Sequence, residues 1–544
     1  MLRILDKPAG ITTHTSLSQD ERRRVSTDPV DSFLGHLTSR SGVALWPVHR
    51  LDLGTTGVML AADNADEAAD LSRAFEARDV EKTYYFLTDR ERPASAAEAI
   101  RVESYIDRQN GGRGSNFFSR EGTAEHPVNA ITTFEFVREI SAGHESYSLW
   151  RAKPLTGRPH QIRLHAESLE ISILGDGEHG GSRFPTICLH AAHVRLNWNG
   201  QIVEASSPLP RWFEDLTLLT APGGFRFINW LASIERRERL NRSLQAMSVA
   251  GSETQRWIHT EGNELRVDQL GEIFHFHWYD DQFTKDDQDD ITELARVMGW
   301  SNWYIQTRAN RGKTPTETQI ILSNPDLPSR WTAREESMAF TFRRDTSMSS
   351  GLFLDQRANR RWIRTHAKGL RVLNLFSYTS GFSVAAALGG AAKVVSVDLS
   401  KNFLTWSKEN FTANGLSIED PRYEFRAMEA RDYLKWAKKK SLEFDIVICD
   451  PPSFARTDAG VFRIETALEE ILQLCLDVTA PNGRVLFSTN FELMDEAELF
   501  ERAGDLSRRN ARHVQVSRAP SPDLDYEFPR EPRAMKCLFL DVLP

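Results

Sequence analysis

The sequence predicts a multidomain protein that ends in a doubly wound α/β domain. An α+β domain with a mixed or antiparallel sheet and a small α+β middle domain are expected to precede it. The chain of 544 residues is long enough for three or four domains of ordinary size. Short strand-like segments dominate residues 1–218, whereas strands and helices alternate over residues 346–544. Three domains are therefore predicted, over residues 1–218, 226–345 and 346–544.

Composition excludes several classes of protein. Hydrophobic residues make up 40% of the chain and charged residues 26%, which is typical of globular domains. No apolar run approaches the length of a membrane-spanning helix, and residues 1–10 do not resemble a signal peptide. We therefore expect a cytoplasmic protein with no membrane partner.

Charge and cysteine content limit the partners further. The chain has 67 Lys and Arg residues against 76 Asp and Glu residues, a formal net charge of −9. A chain that binds nucleic acid is usually basic, so total charge alone argues against such a partner. The four cysteines form no CxxC pair, and we predict no metal site.

The first 218 residues contain the period-2 patterns of short strands. Examples are Ala130–Val137, Ser146–Ala152 and Val194–Trp198, and Ala65–Ala77 has the spacing of a helix with an acidic start. Residues 207–224 carry three prolines and end in two glycines. This composition predicts a domain boundary at the end of the segment.

The middle segment, 226–345, mixes helices and strands. A charged helix is predicted over Leu231–Leu244 and a second helix over Ile291–Gly299. Several basic residues of this segment could contact phosphates, although a solvated helix face is the more ordinary interpretation. These residues are Arg236, Arg237, Arg239, Arg242, Arg308, Arg311 and Lys313.

The C-terminal segment alternates strands with helical stretches of ten or more residues, which predicts a mostly parallel sheet with helices on both faces. No helical stretch separates His513–Ala519 from Met535–Leu543. These two strands are therefore predicted to form a hairpin, and one of them is expected to be an antiparallel edge strand. The first five predicted strands are Arg371–Phe376, Lys393–Asp398, Tyr423–Met428, Phe444–Asp450 and Arg484–Asn490.

Three segments of the first 200 residues carry possible chemistry. They are HRLD followed by GTTG (49–57), KTY (82–84) and TGRPHQIR (156–163). Singly, each could be an ordinary turn or strand end. Together and in order, with KPAG (7–10), GD (175–176) and LHA (189–191), they resemble the RluA-type pseudouridine synthases over nearly all of residues 1–200.

This resemblance implies the isomerisation of uridine to pseudouridine without a cofactor. Asp52 is then the catalytic carboxylate, and burial in a partly apolar pocket would raise its pKa unless an arginine offsets the effect. Arg163 is the candidate for that arginine, with Arg158 as the alternative. Tyr84 would stack on the base and assist proton transfer. Arg50 would fill the space that the uridine leaves when it flips out of its helix.

A second group of residues follows the strands of the C-terminal segment. The loop SYTSGFS (377–383) follows the first strand, and Asp398 ends the second, where a carboxylate can accept the ribose hydroxyls of a nucleoside. Asp450, Pro451 and Pro452 follow a later strand, where two prolines force a rigid loop at the edge of the sheet that binds ligands. Glu429, just past the third strand, is placed to accept from an adenine amine.

The segments NLFSYTSGFSVAA, VVSVDLS and CDPPSFAR look like class I S-adenosylmethionine-dependent methyltransferases of 23S rRNA. The resemblance implies S-adenosylmethionine as the cofactor and gives Asp450 a place beside the reacting groups. Asp355, Gln356 and Arg357 match a stretch near the active site of this family. The residues carried over as cofactor-binding are Asn374, Ser377, Gly381, Asp398, Glu429 and Asp450.

The absence of a cysteine nucleophile predicts which atom of the base is methylated. Methylation at cytosine C5 needs a thiolate, and the stretch VLFSTN (485–490), where related C5 enzymes have a cysteine, has none. Cys449 precedes the Pro-Pro turn on a strand that we expect to be buried. Guanine N7 already has a lone pair and loses no proton, and FSTN with the C-terminal FPREPRAMKCLFL looks closest to the guanine-N7 type.

The sequence thus predicts a bifunctional RNA-modification enzyme. Its methylation substrate is expected to be 23S rRNA, and rRNA or tRNA could be the substrate of pseudouridylation. Three alternatives stay open: only one domain is catalytic and the other docks RNA, another base atom is methylated, or the chain is a non-catalytic ribosome-assembly factor. The oligomeric state is not predicted, and a monomer is compatible with every feature.

Overall fold

The computed structural model divides the chain into two compact units. Unit 1 comprises Met1–Gly251, Trp257–Arg266 and Tyr279–Ser301, and unit 2 comprises Ser252–Arg256, Val267–Trp278 and Asn302–Pro544. The two units interleave along residues 252–301, inside the segment that the sequence assigns to a separate middle domain, so the three-domain division stays a prediction. The structure describes residues 1–14, 32–77, 79–93, 98–108, 117–142, 145–221, 223–259, 262–280, 282–307, 319–346, 349–457, 460–510, 512–520, 522–524, 526 and 535–544.

Residues 1–251 contain ten strands and five α-helices among their described residues. The strands are β1 (Leu2–Lys7), β2 (Trp46–Pro47), β3 (Thr56–Ala62), β4 (Val80–Thr88), β5 (Ile100–Arg108), β6 (Phe117–Arg120), β7 (Ala130–Ala142), β8 (Glu145–Pro154), β9 (Leu189–Trp198) and β10 (Gln201–Ser206). The helices are α1 (Phe33–Ser41), α2 (Ala65–Glu76), α3 (Gln161–Ser168), α4 (Arg211–Glu214) and α5 (Gly224–Ala246).

These strands form one mixed sheet. Its order is β1-β3-β9-β4-β8-β7-β5-β6, with β10 paired to β9 and β2 to β3. Strands β3 and β9 are parallel, whereas β4, β7 and β8 are joined by antiparallel pairs. The prediction of an α+β domain with a mixed sheet is confirmed. Alternating strand residues bury one face, as in β9, where Val194 and Leu196 pack into the core.

Helix α5 contributes buried arginines to unit 1. Arg239 is 1% exposed and donates to Asp6 Oδ1 at 2.9 Å, while Arg242 donates to Asp6 Oδ2 at 2.7 Å. Burial opposes ionisation of Asp6, but these two guanidinium groups hold its pKa below the ordinary value. Arg237 is fully buried and donates to the carbonyl of Ser233. The interpretation of this helix face as solvated or phosphate-binding is therefore wrong for Arg237 and Arg239. The other predicted phosphate contacts Arg308, Arg311 and Lys313 lie outside the described residues.

Residues 252–345 continue with seven described strands and one helix. They are β11 (Thr254–Ile258), β12 (Leu265–Leu270), β13 (Ile273–Trp278), α6 (Lys285–Met298), β14 (Trp303–Thr307), β15 (Ile320–Leu322), β16 (Arg330–Glu335) and β17 (Met338–Arg343). Helix α6 begins with a capping box between Thr284 and Asp287 and ends at Gly299, which has φ +70°. In unit 2, β13 pairs in parallel with β14, and β16 and β17 form an antiparallel pair.

Residues 346–544 alternate strands and helices, as predicted. The elements are α7 (Arg357–His366), β18 (Arg371–Leu375), α8 (Gly381–Leu388), β19 (Lys393–Asp398), α9 (Lys401–Ala413), β20 (Tyr423–Ala427), α10 (Ala430–Lys439), β21 (Phe444–Cys449), β22 (Phe454–Thr457), β23 (Gly460–Arg463), α11 (Ile464–Asp477), β24 (Thr479–Thr489), α12 (Glu496–Arg509), β25 (Val514–Arg518) and β26 (Lys536–Val542).

Seven of these strands form the sheet β20-β19-β18-β21-β24-β26-β25. The first five are parallel to one another, and β26 runs antiparallel to both β24 and β25. Both the doubly wound prediction and the closing hairpin are confirmed. Strand β25 is the edge strand and pairs antiparallel with β26, which lies inside the sheet. The apolar side chains Leu538 and Leu540 of β26 are therefore fully buried. Among the described helices, none combines the length and the apolar character that crossing a membrane requires.

We expect Arg239→Met to destabilise unit 1 by about 3 kcal/mol, because it leaves Asp6 buried with one guanidinium partner fewer. Hydrogen exchange of β1 and α5 peptides across a urea series measures this loss. The matched control is Arg73→Met, which breaks an exposed pair with Asp70 on α2 and should cost no more than about 1 kcal/mol. Equal losses in the two variants would contradict the structural role of Arg239.

Candidate active sites

A cavity of about 120 Å³ opens in unit 1 between the loop before β3 and the start of α3. Four residues predicted from the sequence line it: Arg50, Asp52, Tyr84 and Arg163. They come from three separate segments of the chain, and the sheet brings those segments together. Several backbone and polar groups, including Thr156 and His160, complete the walls.

Lys7 fixes the loop that carries Asp52. Its ammonium is fully buried and lies 3.1 Å from the carbonyl oxygens of Pro8, Asp52 and Thr55 and 3.4 Å from that of Leu53. Burial lowers the pKa of Lys7 to about 7, although the Asp52 carboxylate opposes this shift. Sequence reasoning placed Lys7 in a motif but gave it no role. A lysine at the end of an apolar strand was the available signal.

Arg163 connects Asp52 to two other carboxylates. The guanidinium donates to both Asp176 oxygens at 2.6 Å and to Glu178 Oε2 at 2.8 Å, and Nη1 lies 3.8 Å from Asp52 Oδ2. Arg163 and Asp176 are 5% and 1% exposed, so the bidentate pair is shielded from solvent. The alternative, Arg158, is exposed, and its Nε faces the carbonyl of Asn129 at 3.4 Å. The geometry therefore favours Arg163 as the partner of Asp52.

Tyr84, Arg50 and His49 differ in their surroundings. Burial and the nearby Asp52 raise the pKa of the Tyr84 phenol far above its ordinary value, so the hydroxyl stays protonated. Arg50 is exposed at the rim of the cavity. His49 Nε2 accepts from the amide of Leu60 at 2.9 Å, and burial lowers its pKa to about 4. His49 is thus a neutral structural residue.

A second cavity, of about 460 Å³, lies in unit 2 where strands β18, β19 and β21 end. Asp398, Glu429 and Asp450 line it, as do Phe376 and Tyr378. Carboxyl ends of neighbouring parallel strands meet at one edge of a sheet, which explains why residues distant in the chain converge here. Three of the predicted cofactor residues therefore share one cavity.

Two of these carboxylates also hold the backbone around the cavity. Asp398 accepts from the amides of Tyr378 and Ser400, each at 2.8 Å, and burial raises its pKa above the ordinary value. Glu429 caps helix α10 by accepting from the amide of Asp432 at 3.0 Å. Each carboxylate is thus fixed in place by bonds that leave lone pairs available to a ligand.

Asn374, Ser377 and Gly381 do not line this cavity. Asn374 is 1% exposed and donates to Ser383 Oγ at 2.9 Å, and Ser377 is 6% exposed. Gly381 begins α8, where an added Cβ would approach Leu352 Cδ1 to 3.0 Å. The three residues shape the loop behind the cavity wall, and their contact with a cofactor stays a prediction.

The loop between β18 and α8 has a strained backbone that sequence reasoning missed. Phe376, Tyr378 and Ser380 have φ angles of 52°, 49° and 63°, in the left-handed region that residues other than glycine seldom adopt. This alternation turns the aromatic rings of Phe376 and Tyr378 into the cavity, where Phe403 packs edge-on against Tyr378 at 4.6 Å. Backbone strain of this kind collects at functional sites.

Asp450 and Asp355 form a half-buried acidic pair in the cavity wall. Asp450 accepts from Ser488 Oγ at 2.7 Å and from Gln356 Nε2 at 3.1 Å. Burial raises the pKa of Asp450 to about 7 and that of Asp355 to about 6, although Ser488 and Gln356 lower the pKa of Asp450 and nearby arginines lower that of Asp355. Asp355 Oδ1 is buried and has no hydrogen-bond partner among the described residues. The carboxylates of Asp355 and Asp450 can therefore accept further hydrogen bonds from a ligand in the cavity. Cys449, by contrast, is fully buried in the core, as expected.

Two family models match the chain in turn. Residues 2–168 match the RNA pseudouridylate synthase family, and residues 309–526 match the S-adenosylmethionine-dependent methyltransferase family. The chain joins these two families. The pseudouridylate synthase domain holds the cavity with Asp52, and the methyltransferase domain holds the cavity with Asp450.

Known proteins resemble the methyltransferase domain. Ribosomal RNA large subunit methyltransferase K/L of Psychrobacter sp. (strain PRwf-1) is 36% identical over 189 residues, or 34% of this chain and 22% of that protein. The protein of the same name in Shewanella sp. (strain ANA-3) is 42% identical over 149 residues, or 26% of this chain and 20% of that protein. The chain thus spans about a fifth of the length of these curated relatives. The solved structure of SMU.776 complexed with SAH matches with a TM-score of 0.50 and 25% identity, covering 58% of this chain and 81% of that one.

The methyltransferase cavity has the chemistry that S-adenosylmethionine requires. Its volume of about 460 Å³ falls in the usual range for small-molecule sites. Apolar and aromatic walls, including Phe376, Tyr378 and Phe403, can contact the adenine and the thioether chain. Asp398 and Glu429 offer carboxylate acceptors for hydroxyl and amine donors. The residues present therefore fit the cofactor of the family.

We expect Lys7→Met to change the pH dependence of stability. The pKa of Lys7 is about 7 in the folded protein and about 10.4 in an unfolded chain, so the unfolded chain binds more protons between these values. The contribution of Lys7 to stability therefore increases as pH rises from 7 to 10. Between pH 7.5 and 9.5 the free energy of unfolding should rise by about 2 kcal/mol more in the wild type than in Lys7→Met.

Urea unfolding of unit 1 at several pH values measures this difference. The control is Lys153→Met, which replaces a lysine whose side chain is 47% exposed and should leave the slope unchanged. Parallel curves for the wild type and Lys7→Met would show that Lys7 is protonated in the folded state over this range.

Proposed function

We propose that the chain is a bifunctional RNA-modification enzyme of the cytoplasm. Its pseudouridylate synthase domain isomerises a uridine, and its methyltransferase domain methylates guanine N7 of 23S rRNA with S-adenosylmethionine. The observation that carries the proposal is that each cavity contains a carboxylate whose surroundings suit the reaction proposed for that cavity. Asp52 faces a buried arginine, and Asp450 belongs to a half-buried acidic pair with a raised pKa.

Pseudouridine formation needs a carboxylate that is ionised inside a closed site. In the isomerisation the bond from N1 to ribose C1′ breaks, the base turns, and a bond from C5 to C1′ forms while the proton on C5 is lost and N1 gains one. Asp52 acts either by bonding to C1′ or by taking the C5 proton. The guanidinium of Arg163, with Nη1 3.8 Å from Asp52 Oδ2, places a positive charge beside this carboxylate in either case.

Tyr84 and Arg50 complete this site. Since the phenol of Tyr84 stays protonated, it serves as a stacking surface and a proton donor rather than as a phenolate base. The cavity of about 120 Å³ is of the size of a single base, which requires the uridine to leave its helix. The exposed guanidinium of Arg50 at the rim can then occupy the vacated position.

In the methyltransferase domain, Asp398 would accept from the ribose hydroxyls of the cofactor and Glu429 from its adenine amine. S-adenosylmethionine supplies the methyl group when bound. Asp450 and Asp355 would face the base, where their negative charge stabilises the positive charge that develops on guanine as N7 is alkylated. No residue has to remove a proton from N7, so positioning and charge stabilisation suffice.

The cysteines favour N7 over cytosine C5. All four cysteines, Cys188, Cys449, Cys475 and Cys537, are buried, and none is among the described residues that line the methyltransferase cavity. A C5 enzyme needs an accessible thiolate. The matching relatives are named ribosomal RNA large subunit methyltransferases, which supports 23S rRNA as the substrate.

Asp52→Asn should abolish pseudouridine formation while methylation continues, and Asp450→Ala should do the reverse. Mass mapping of rRNA and tRNA from a deletion strain, complemented with each variant, measures both products with pseudouridine-specific chemistry. Asp66→Asn, on the exposed start of α2, is the matched control and should restore both. If Asp52→Asn retained pseudouridine, the assigned carboxylate would be wrong. If the wild type formed neither product, a binding or assembly role would replace the enzymatic one.

The rate of methyl transfer should rise with pH through the range of about 6 to 7, where Asp355 and Asp450 ionise. The physical reason is that the ionised pair stabilises the cationic transition state, whereas the protonated pair does not. Single-turnover transfer of a labelled methyl group to rRNA at pH 5.5 to 8.5 measures the profile. Asp355→Asn should shift the rise to lower pH, because it removes the carboxylate that raises the pKa of Asp450. A flat wild-type profile would argue against this role.

A further inference from the structure

Three side chains beside the pseudouridylate synthase cavity converge without any role in the proposed chemistry. They are His160 at the start of α3, and Glu178 and His179 in the short 3-10 helix Gly177–His179. One ligand atom from each lies within 4.8 Å of those of the other two. His160 Nδ1 is 2.9 Å from His179 Nε2 and 3.9 Å from Glu178 Oε2. Tetrahedral zinc ligands, with bonds of about 2.0–2.1 Å, stand roughly 3.3 Å apart, so small shifts suffice.

The two imidazoles are held in place by their surroundings. His160 and His179 side chains are 13% and 6% exposed. Glu167 Oε2 lies 3.5 Å from His179 Nδ1, which favours the tautomer with its proton on Nδ1 and its lone pair on Nε2, facing His160. A carboxylate behind a histidine is the usual outer partner of a metal-binding imidazole. His160 adopts a left-handed φ of 55°, a strained conformation that directs its ring to this point.

The charges around the cluster also suit a cation. Glu167, Glu178 and Asp176 contribute three carboxylates, and Arg163 is the guanidinium that contacts two of them. Access from solvent exists, because Glu167, Glu178 and His179 line a separate cavity of about 700 Å³.

We propose that His160, Glu178 and His179 form a binding site for a divalent transition metal ion of the Zn²⁺ type. Two imidazoles and one carboxylate leave one coordination position open to water. The sequence did not predict this site, since the ligands lie eighteen and nineteen residues apart and belong to two separate elements. The inference rests on the geometry of the cluster alone and is independent of the proposed catalytic activities.

The ion would be coupled to the catalytic cavity through Glu178. That carboxylate accepts from Arg163 Nη2 at 2.8 Å, and the same guanidinium lies near Asp52. If Glu178 turns toward an ion, Arg163 loses one of its acceptors and keeps Asp176 and Asp52. The site would therefore change the surroundings of Arg163 while leaving its bidentate bond to Asp176 in place.

Zn²⁺ titration of the full chain against a chromophoric chelator at pH 7.5 tests the proposal. We expect one ion per chain to bind with an affinity that falls at least 100-fold in His179→Gln. Glu178→Gln, at a side chain that is 48% exposed, should weaken binding by about tenfold or more without disturbing the core. Glu167→Gln should cost about tenfold as the loss of an outer partner.

His193→Gln is the matched control, because His193 also faces a carboxylate, Glu204 at 3.2 Å, but belongs to no group of three possible ligands in the described part of the chain. Its Zn²⁺ affinity should equal that of the wild type. The proposal is overturned if the wild type binds Zn²⁺ no more tightly than His179→Gln and Glu178→Gln, or if His193→Gln lowers the affinity as much as they do. Circular dichroism of each variant separates loss of the site from loss of the fold.

Discussion

The bidentate bond between Arg163 and Asp176 is the interaction on which the pseudouridylate synthase cavity depends. A buried guanidinium needs acceptors for its donors, and Asp176 supplies two bonds of 2.6 Å in a solvent-shielded position. With those donors fixed, Nη1 is directed at Asp52. The bidentate bond thus determines where the weaker, 3.8 Å contact with Asp52, the proposed catalytic carboxylate, is made. Replacing Asp176 would therefore change the position of the guanidinium beside Asp52, although Asp52 itself is not substituted.

The carboxylates of the methyltransferase cavity have different electrostatic surroundings from Asp52. Among the described residues no guanidinium donates to Asp450; neutral donors from Ser488 and Gln356 bind it, and Asp355 adds a second carboxyl group nearby. The pKa of Asp450 is therefore raised above its ordinary value. A site that must meet a developing positive charge benefits from acidic groups that ionise near neutral pH. The two cavities therefore use the same residue type in different electrostatic surroundings.

The sequence predicted the elements better than the details of the sites. Alternating strands and helices specified the doubly wound sheet, because period and turn residues are local properties. Asp398 and Asp450 could be placed because the first ends a predicted strand and the second lies at the end of another, and Asp52 could be placed because its motif resembles that of a known family. Lys7 and the left-handed backbone of Phe376 and Tyr378 could not, since their roles depend on contacts and torsions that only the folded chain defines. Asn374 matched a motif, yet its side chain bonds to Ser383 beneath the cavity.

The arginines explain why total charge is a poor guide to the partner. Arg239 is neutralised in the core by Asp6, and Arg360 forms two bonds of 2.6 Å with the fully buried Glu335. Such pairs contribute nothing to the field outside the protein, so the excess of nine negative charges belongs to the remaining residues. Non-specific attraction to phosphates is then weak, and the proposed binding of RNA should depend only weakly on salt concentration. Under the proposed function, the RNA is recognised by shaped cavities and by single exposed arginines such as Arg50. Such contacts contribute more to specificity than to affinity.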